Sequence, residues 1–388
     1  MSKSDHQSGV IVAGLALFSM FFGAGDLIWP LILGGESGSQ NFYAMLGLLI
    51  TGVSLPLLGL VSMMLFEGNY RAFFERLGKM PALFVIFIVQ LILGPVGSIP
   101  RLLTLSFATI KPYLPEDFTF ISFCIAASVM ILAFTIRPRR IIDVLGLVLT
   151  PMLLLSLGAI LVIGFWNLPE LNPVALSGTE AFSNGLKVGY NTLDLIASFI
   201  FAPLVLSHFT AKASMDNASE RKAVFGKMLK ASLFAAGLLS LMYIGLTYVA
   251  SYYTPFLDAH RPEERLSAIS LLLLGPHGAL IACLAVAMAC LTTTIPLVLI
   301  FAQYMQKDLM GGKVGIVLPL IATLAMSAAL AYLGFMGIAN MLSPILQILC
   351  PGLIVLSLFN LFHKLYETRV PRIPVFATFA ISTIGYAF

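Results

Sequence analysis

Eleven stretches of mostly apolar residues follow one another along this chain, each long enough to cross a bilayer. They fall within a few residues of 9–34, 40–66, 80–110, 118–136, 141–166, 182–208, 224–252, 276–305, 313–334, 338–362 and 372–388. A run of about 18 apolar residues is the length a helix needs to traverse hydrocarbon, where every backbone must satisfy its own hydrogen bonds. The runs are continuous rather than alternating, which excludes a β-barrel. Only 10% of the 388 residues are charged, against about 25% in soluble domains. The fold class is an all-α polytopic membrane protein, a single transmembrane domain over 1–388.

The loops between these runs set the orientation. Seventeen of the 22 Lys and Arg residues fall in one alternating set of loops, and only Lys111, Arg261 and Arg265 fall in the other. Cytoplasmic loops retain Lys and Arg, so the N-terminus is expected to be cytoplasmic and span 11 to end outside. That span reaches Phe388 with no polar tail, so a twelfth span is expected beyond it. The basic residues are dispersed among short loops, and their net charge of +4 is no nucleic-acid footprint. The four cysteines lie inside apolar runs with no metal or disulfide spacing. There is no HExxH and no GxSxG, and the only histidines near the membrane are at span ends. An enzyme is not expected. A channel would want a continuous polar stripe, and polar positions are scattered.

Two acids are expected deep in the membrane, Asp26 in span 1 and Asp194 in span 6. A carboxylate at mid-bilayer costs about 2.5–3.5 kcal/mol on insertion scales. Asp26 stands in Phe21-Phe22-Gly23-Ala24-Gly25-Asp26-Leu27-Ile28-Trp29-Pro30, where glycine and proline weaken the backbone ladder. Asp194 stands in Gly189-Tyr190-Asn191-Thr192-Leu193-Asp194, followed by Ser198 and Pro203. The two spans are five apart. Inverted repeats of an odd number of spans place broken helices at corresponding positions, and a ligand site forms where they meet. Close packing of small residues is the plainer account of Gly23 and Gly25.

Two further spans carry polar interruptions. Span 8 holds Ala289-Cys290-Leu291-Thr292-Thr293-Thr294-Ile295-Pro296. Hydroxyls in a buried helix commonly bond back to the preceding turn, but adjacent threonines beside a proline also offer oxygens to a hard cation. Span 3 holds Gly94-Pro95-Val96-Gly97-Ser98-Ile99-Pro100-Arg101, a further break. At 1.5 Å rise per residue, Arg101 is expected near the outer interface. Snorkelling to water and a role in an outer gate are both open to it.

On these motifs the chain resembles the bacterial branched-chain amino acid:cation symporters, the LIVCS carrier family, over nearly its whole length. That family resembles the LeuT-like sodium symporters. The resemblance implies a 5+5 inverted repeat with broken helices 1 and 6, repeat one about 9–166 and repeat two about 182–362, with an extra C-terminal span. It implies import of leucine, isoleucine or valine by alternating access in the bacterial inner membrane. Sodium would be the coupling ion, with no organic cofactor. The carried-over sodium site uses carbonyls of Ser19, Phe22 and Ala289 and hydroxyls of Thr292 and Thr293. The substrate would meet Gly23, Ala24, Gly25, Asp26, Tyr190, Thr192, Asp194 and Ser198. Where those symporters usually carry asparagine, Asp26 stands. It could pair with the substrate ammonium, and either Asp26 or Asp194 could instead carry a coupling proton. Expected partners are the amino acid and the lipid bilayer, with no nucleic acid and no obligatory protein partner.

Overall fold

The computed structural model describes residues 3–135, 150–171, 173–210, 218–366 and 372–387. Each expected span coincides, in its described part, with helix. The first part of span 5, with Arg139, Arg140 and Asp143, lies outside the described residues. Among the described residues, six helical stretches are long and apolar enough to cross a membrane, and five shorter apolar helices accompany them.

Among the described residues three spans are interrupted, two of them at glycines. Span 1 is two helices, Lys3–Phe21 and Ala24–Ser37, separated at Phe22 and Gly23. Span 3 is Lys79–Leu93 and Ser98–Ile110, parted by the Gly94–Gly97 turn. Span 6 is Gly178–Asn191 and Asp194–Thr210. Its break turns on Leu193, which sits at φ +74°, a left-handed conformation that costs a non-glycine residue about 1–2 kcal/mol. Span 2 carries a π-turn at Ile50–Ser54, which joins Asn41–Leu49 to Leu55–Leu65. Span 7, Ala218–Tyr252, starts earlier than expected and takes Arg221 and Lys222 into its first turns. The loop read between spans 7 and 8 is itself largely helical. Arg265 begins a helix that reaches Gly275, where φ +68° marks a kink before the rest of span 8 continues to Tyr304.

The broken spans lie at the centre. Span 7 packs along both halves of span 1, and span 2 runs along both halves of span 6. The latter contact depends on glycine. A Cβ on Gly185 would run into the carbonyl of Ala44, so the two helices meet backbone to backbone, as small residues allow in membranes. Residues facing outward, such as Leu155, Phe84 and Ile125, are apolar and exposed, as a lipid-facing surface requires.

This packing predicts a contrast between two glycines. Gly185→Leu should lower the thermal unfolding midpoint of the purified protein clearly, because overpacking costs about 1–3 kcal/mol. Gly237→Leu, where an added Cβ meets nothing within 4 Å, should leave the midpoint nearly unchanged. Equal midpoints for the two variants would contradict the span 2–span 6 contact.

Candidate functional site

Both membrane acids stand at the start of a half-helix. Asp26 is in the first turn of Ala24–Ser37, and its Oδ2 accepts the Gly23 N–H at 2.7 Å. Asp194 is the first residue of Asp194–Thr210. Its N–H points to Thr192 Oγ1 at 3.4 Å, and that hydroxyl donates to the Gly189 carbonyl at 2.9 Å. A helix N-terminus leaves four N–H groups unpaired and carries the positive end of the macrodipole. The acids therefore occupy the two places at mid-span where a negative charge is best compensated.

A third residue joins them. The Tyr243 hydroxyl, from span 7, lies within hydrogen-bond reach of Asp26 Oδ1 and, at 2.9 Å, of Asp194 Oδ2. All three side chains are buried, at 1% exposure or less. A phenol has one proton to donate, so it serves one acid at a time, and the arrangement has a place for one more proton. The two breaks also touch directly. A Cβ on Gly25 would lie 2.9 Å from the Thr192 carbonyl oxygen, so this approach needs a residue without a side chain.

Arg101 faces these acids across a small cavity. The guanidinium does not snorkel to water: its side chain is 1% exposed. One Nη donates to the carbonyl of Asn191 at 2.8 Å, at the C-terminal, negative end of the first half of span 6. The guanidinium carbon lies 5.3 Å from the Phe335 ring centre. Nε and the other Nη are buried without a hydrogen-bond partner. The expectation of snorkelling to water therefore fails, and the Gly94–Gly97 turn interrupts the helical rise by which the position of Arg101 along span 3 is counted.

The compensation of these charges is uneven. Each hydrogen bond to a charged group is worth about 1.5–3 kcal/mol. Asp26 accepts two bonds and sits at a helix N-terminus, which together offset the cost of about 2.5–3.5 kcal/mol for a mid-membrane charge. Arg101 has one bond and a ring face, and each buried donor left without a partner costs about 1–3 kcal/mol.

The cavity is lined by Gly23, Ala24, Gly25, Asp26, Thr192 and Asp194 from the two breaks, by Ser98 and Arg101 from span 3, and by Thr293 from span 8. Met20, Phe21, Leu102, Phe201 and Leu297 give it an apolar side. About 30 Å³ is open to the centres of water molecules, room for about two or three waters. Two expected site residues point elsewhere. Ser198 donates to the Leu195 carbonyl at 2.7 Å and packs against Gly59 of span 2. Tyr190, half-buried, is packed against the core and does not line the cavity. Spacing along a helix does not reveal how far a left-handed residue such as Leu193 rotates what lies on either side of it.

The expected ion-binding oxygens are brought together in part. Thr293 Oγ1 donates to the Ala289 carbonyl at 2.9 Å and reaches the Ser19 carbonyl at 3.4 Å, so spans 1 and 8 meet through three oxygens. Phe22 lies at the end of the first half-helix, its N–H bonded to the Phe18 carbonyl at 2.7 Å. The Thr292 side chain lies outside the described residues. No group of three His, Cys, Asp or Glu that could hold a metal occurs among the described residues.

Tyr243 and Ser98 were not picked out from the sequence. A tyrosine in an apolar run carries no signal, and the partners of Tyr243 are 217 and 49 residues away. Tyr243→Phe should leave both acids short of a donor and lower the unfolding midpoint, a loss of about 1–3 kcal/mol. An unchanged midpoint would contradict the bridging role of the hydroxyl.

A family model described as "Branched-chain amino acid transport protein" matches residues 6–387. The branched-chain amino acid permease BrnQ of Bacillus subtilis is 30% identical over 345 residues, covering 86% of this chain and 77% of the relative. A putative branched-chain amino acid carrier protein of Staphylococcus aureus is 29% identical over 360 residues, covering 88% and 79%. Among solved structures, the inward-facing conformation of Mhp1 superposes with TM-score 0.64 at 10% identity, over 96% of this chain and 88% of that one. A mutant of the Eremococcus coleocola manganese transporter gives TM-score 0.64 at 14% identity, over 100% and 87%. These structural likenesses speak for the fold alone, which is LeuT-like.

Proposed function

This chain belongs to the branched-chain amino acid transport protein family, and we propose that it imports leucine, isoleucine or valine with sodium by alternating access. The observation that carries this reading is the pairing of the two breaks. The interrupted backbones and two acids of spans 1 and 6 meet at one cavity with an apolar side. A branched aliphatic side chain fits such a surface, and a charged one would be rejected by its desolvation cost.

The small volume bears on the mechanism. Leucine has nine heavy atoms, and a space for about two or three waters does not hold it. Binding then requires the surrounding helices to part, and the cavity must be reached from one side at a time. The half-helices at the breaks are the elements whose small rotations would open it. An inward sodium gradient across the bacterial inner membrane would make the net movement inward.

Sodium is the favoured coupling ion because hard cations take oxygen ligands. Thr293 Oγ1 and the carbonyls of Ser19 and Ala289 are close enough together to begin such a shell. An ion between spans 1 and 8 would fix the span 1 break and raise amino acid affinity, and the coupling must be reciprocal. Replacing Thr293 with alanine should raise the half-saturating sodium concentration for leucine uptake at least tenfold, measured in proteoliposomes with an imposed sodium gradient. Sodium-independent uptake by wild type and variant alike would remove the ion assignment.

A second reading uses protons. The hydroxyl shared by Asp26 and Asp194 leaves a place for a further proton, which could be carried with the substrate. Uptake driven by a pH gradient in sodium-free proteoliposomes, and lost in Asp194→Asn, would favour it. Uptake that follows only the sodium gradient would exclude it.

A further inference from the structure

We propose that Arg101 binds the α-carboxylate of the transported amino acid, opposite an acidic pole formed by Asp26 and Asp194. The proposal rests on the reading of the chain as an amino acid transporter. It differs from the expectation drawn by resemblance, in which backbone groups of span 1 receive the carboxylate.

Three observations carry it. First, Arg101 is 1% exposed and lines the same cavity as the two acids. Second, it forms no ion pair with either acid: among the described residues, every ion pair lies elsewhere. The Tyr243 hydroxyl and the Gly23 N–H serve the acids instead. Third, only one guanidinium nitrogen is occupied, by the Asn191 carbonyl, while Nε and one Nη are buried without a partner. Buried guanidinium donors are ordinarily paired, and a planar fork of two N–H groups matches a carboxylate in bidentate geometry.

Arg101 and the two acids thus line one cavity, the guanidinium with two unpartnered donors and the acids with further acceptor capacity. A zwitterion answers both, and neither a simple amine nor a simple acid does. Phe335 and the Asn191 carbonyl fix the guanidinium, so its free edge is oriented in advance of binding. The N-termini at both breaks are already occupied by the acids of the chain. An incoming carboxylate would meet like charge there, and Arg101 is the remaining cationic partner.

The test compares leucine with leucinamide, which keeps the ammonium and the side chain but replaces the carboxylate with a neutral amide. Binding to purified full-length protein is measured by ligand-dependent thermal stabilisation. Wild type should bind leucinamide about tenfold to a hundredfold more weakly than leucine, the factor that loss of a charge-assisted pair implies. Arg101→Gln should weaken leucine by a similar factor and change leucinamide by less than about threefold. Arg101→Lys should fall between them, since it keeps the charge without the fork. A purely structural arginine would cost both ligands alike. Equal losses for the two ligands in either variant would therefore overturn the proposal. If Arg101→Gln does not fold, Arg101→Lys decides in its place: a loss for leucine larger than that for leucinamide supports the proposal, and equal losses, or no loss for leucine, overturn it. Wild type that binds no branched-chain amino acid would instead overturn the transport reading, and this proposal with it.

Discussion

Two carboxylates held at mid-membrane by half-helix N-termini are the constraint around which this protein is arranged. Neither could remain in an apolar span without compensation, since the cost is about 2.5–3.5 kcal/mol each. The compensation comes from breaking the helix. An interruption exposes N–H groups and a dipole end at the depth where the acid lies. The Gly23 N–H and the Tyr243 hydroxyl complete the shell of Asp26, and the same hydroxyl reaches Asp194, whose own N–H donates to Thr192 Oγ1. Spans 1, 6 and 7 are tied together at one point by these contacts. Non-helical backbone is tolerated in a bilayer only where it is buried in protein or lines a cavity, and here it does both.

The same interruptions supply the opposite charge. The first half of span 6 ends at Asn191, whose carbonyl lies at the negative end of a helix dipole, and the Arg101 guanidinium caps it. Each break therefore has its own charge of the sign its helix end prefers. Asp26 is the better satisfied of the two acids, and the arginine is only partly so. Polarity across a cavity of this kind is a recognition element in its own right.

Much of this was legible in the sequence. Charges within apolar runs are rare, so Asp26 and Asp194 stood out at once, and the glycines beside Asp26 marked the first break. The family resemblance followed from the motifs around these residues and is matched by the family comparison over residues 6–387. The break in span 3 was equally visible from Gly94, Pro95 and Gly97. What the sequence concealed was direction and distance. Tyr243 lies in a run of apolar residues, and only folding brings it to acids far away along the chain. Arg101 was placed by counting helical rise across a turn that is not helical. The resemblance assigns Tyr190 and Ser198 to the site, yet neither lines the cavity, and Ser198 bonds back to the Leu195 carbonyl.

The most direct test is a cryo-electron microscopy structure of the full-length protein with leucine bound in lipid nanodiscs. The amino acid should lie between the Gly23–Asp26 and Thr192–Asp194 segments, its ammonium toward the acids and its isobutyl group toward Phe21 and Phe201. Leucine bound elsewhere, with both breaks still packed against each other and the cavity unchanged, would contradict the account.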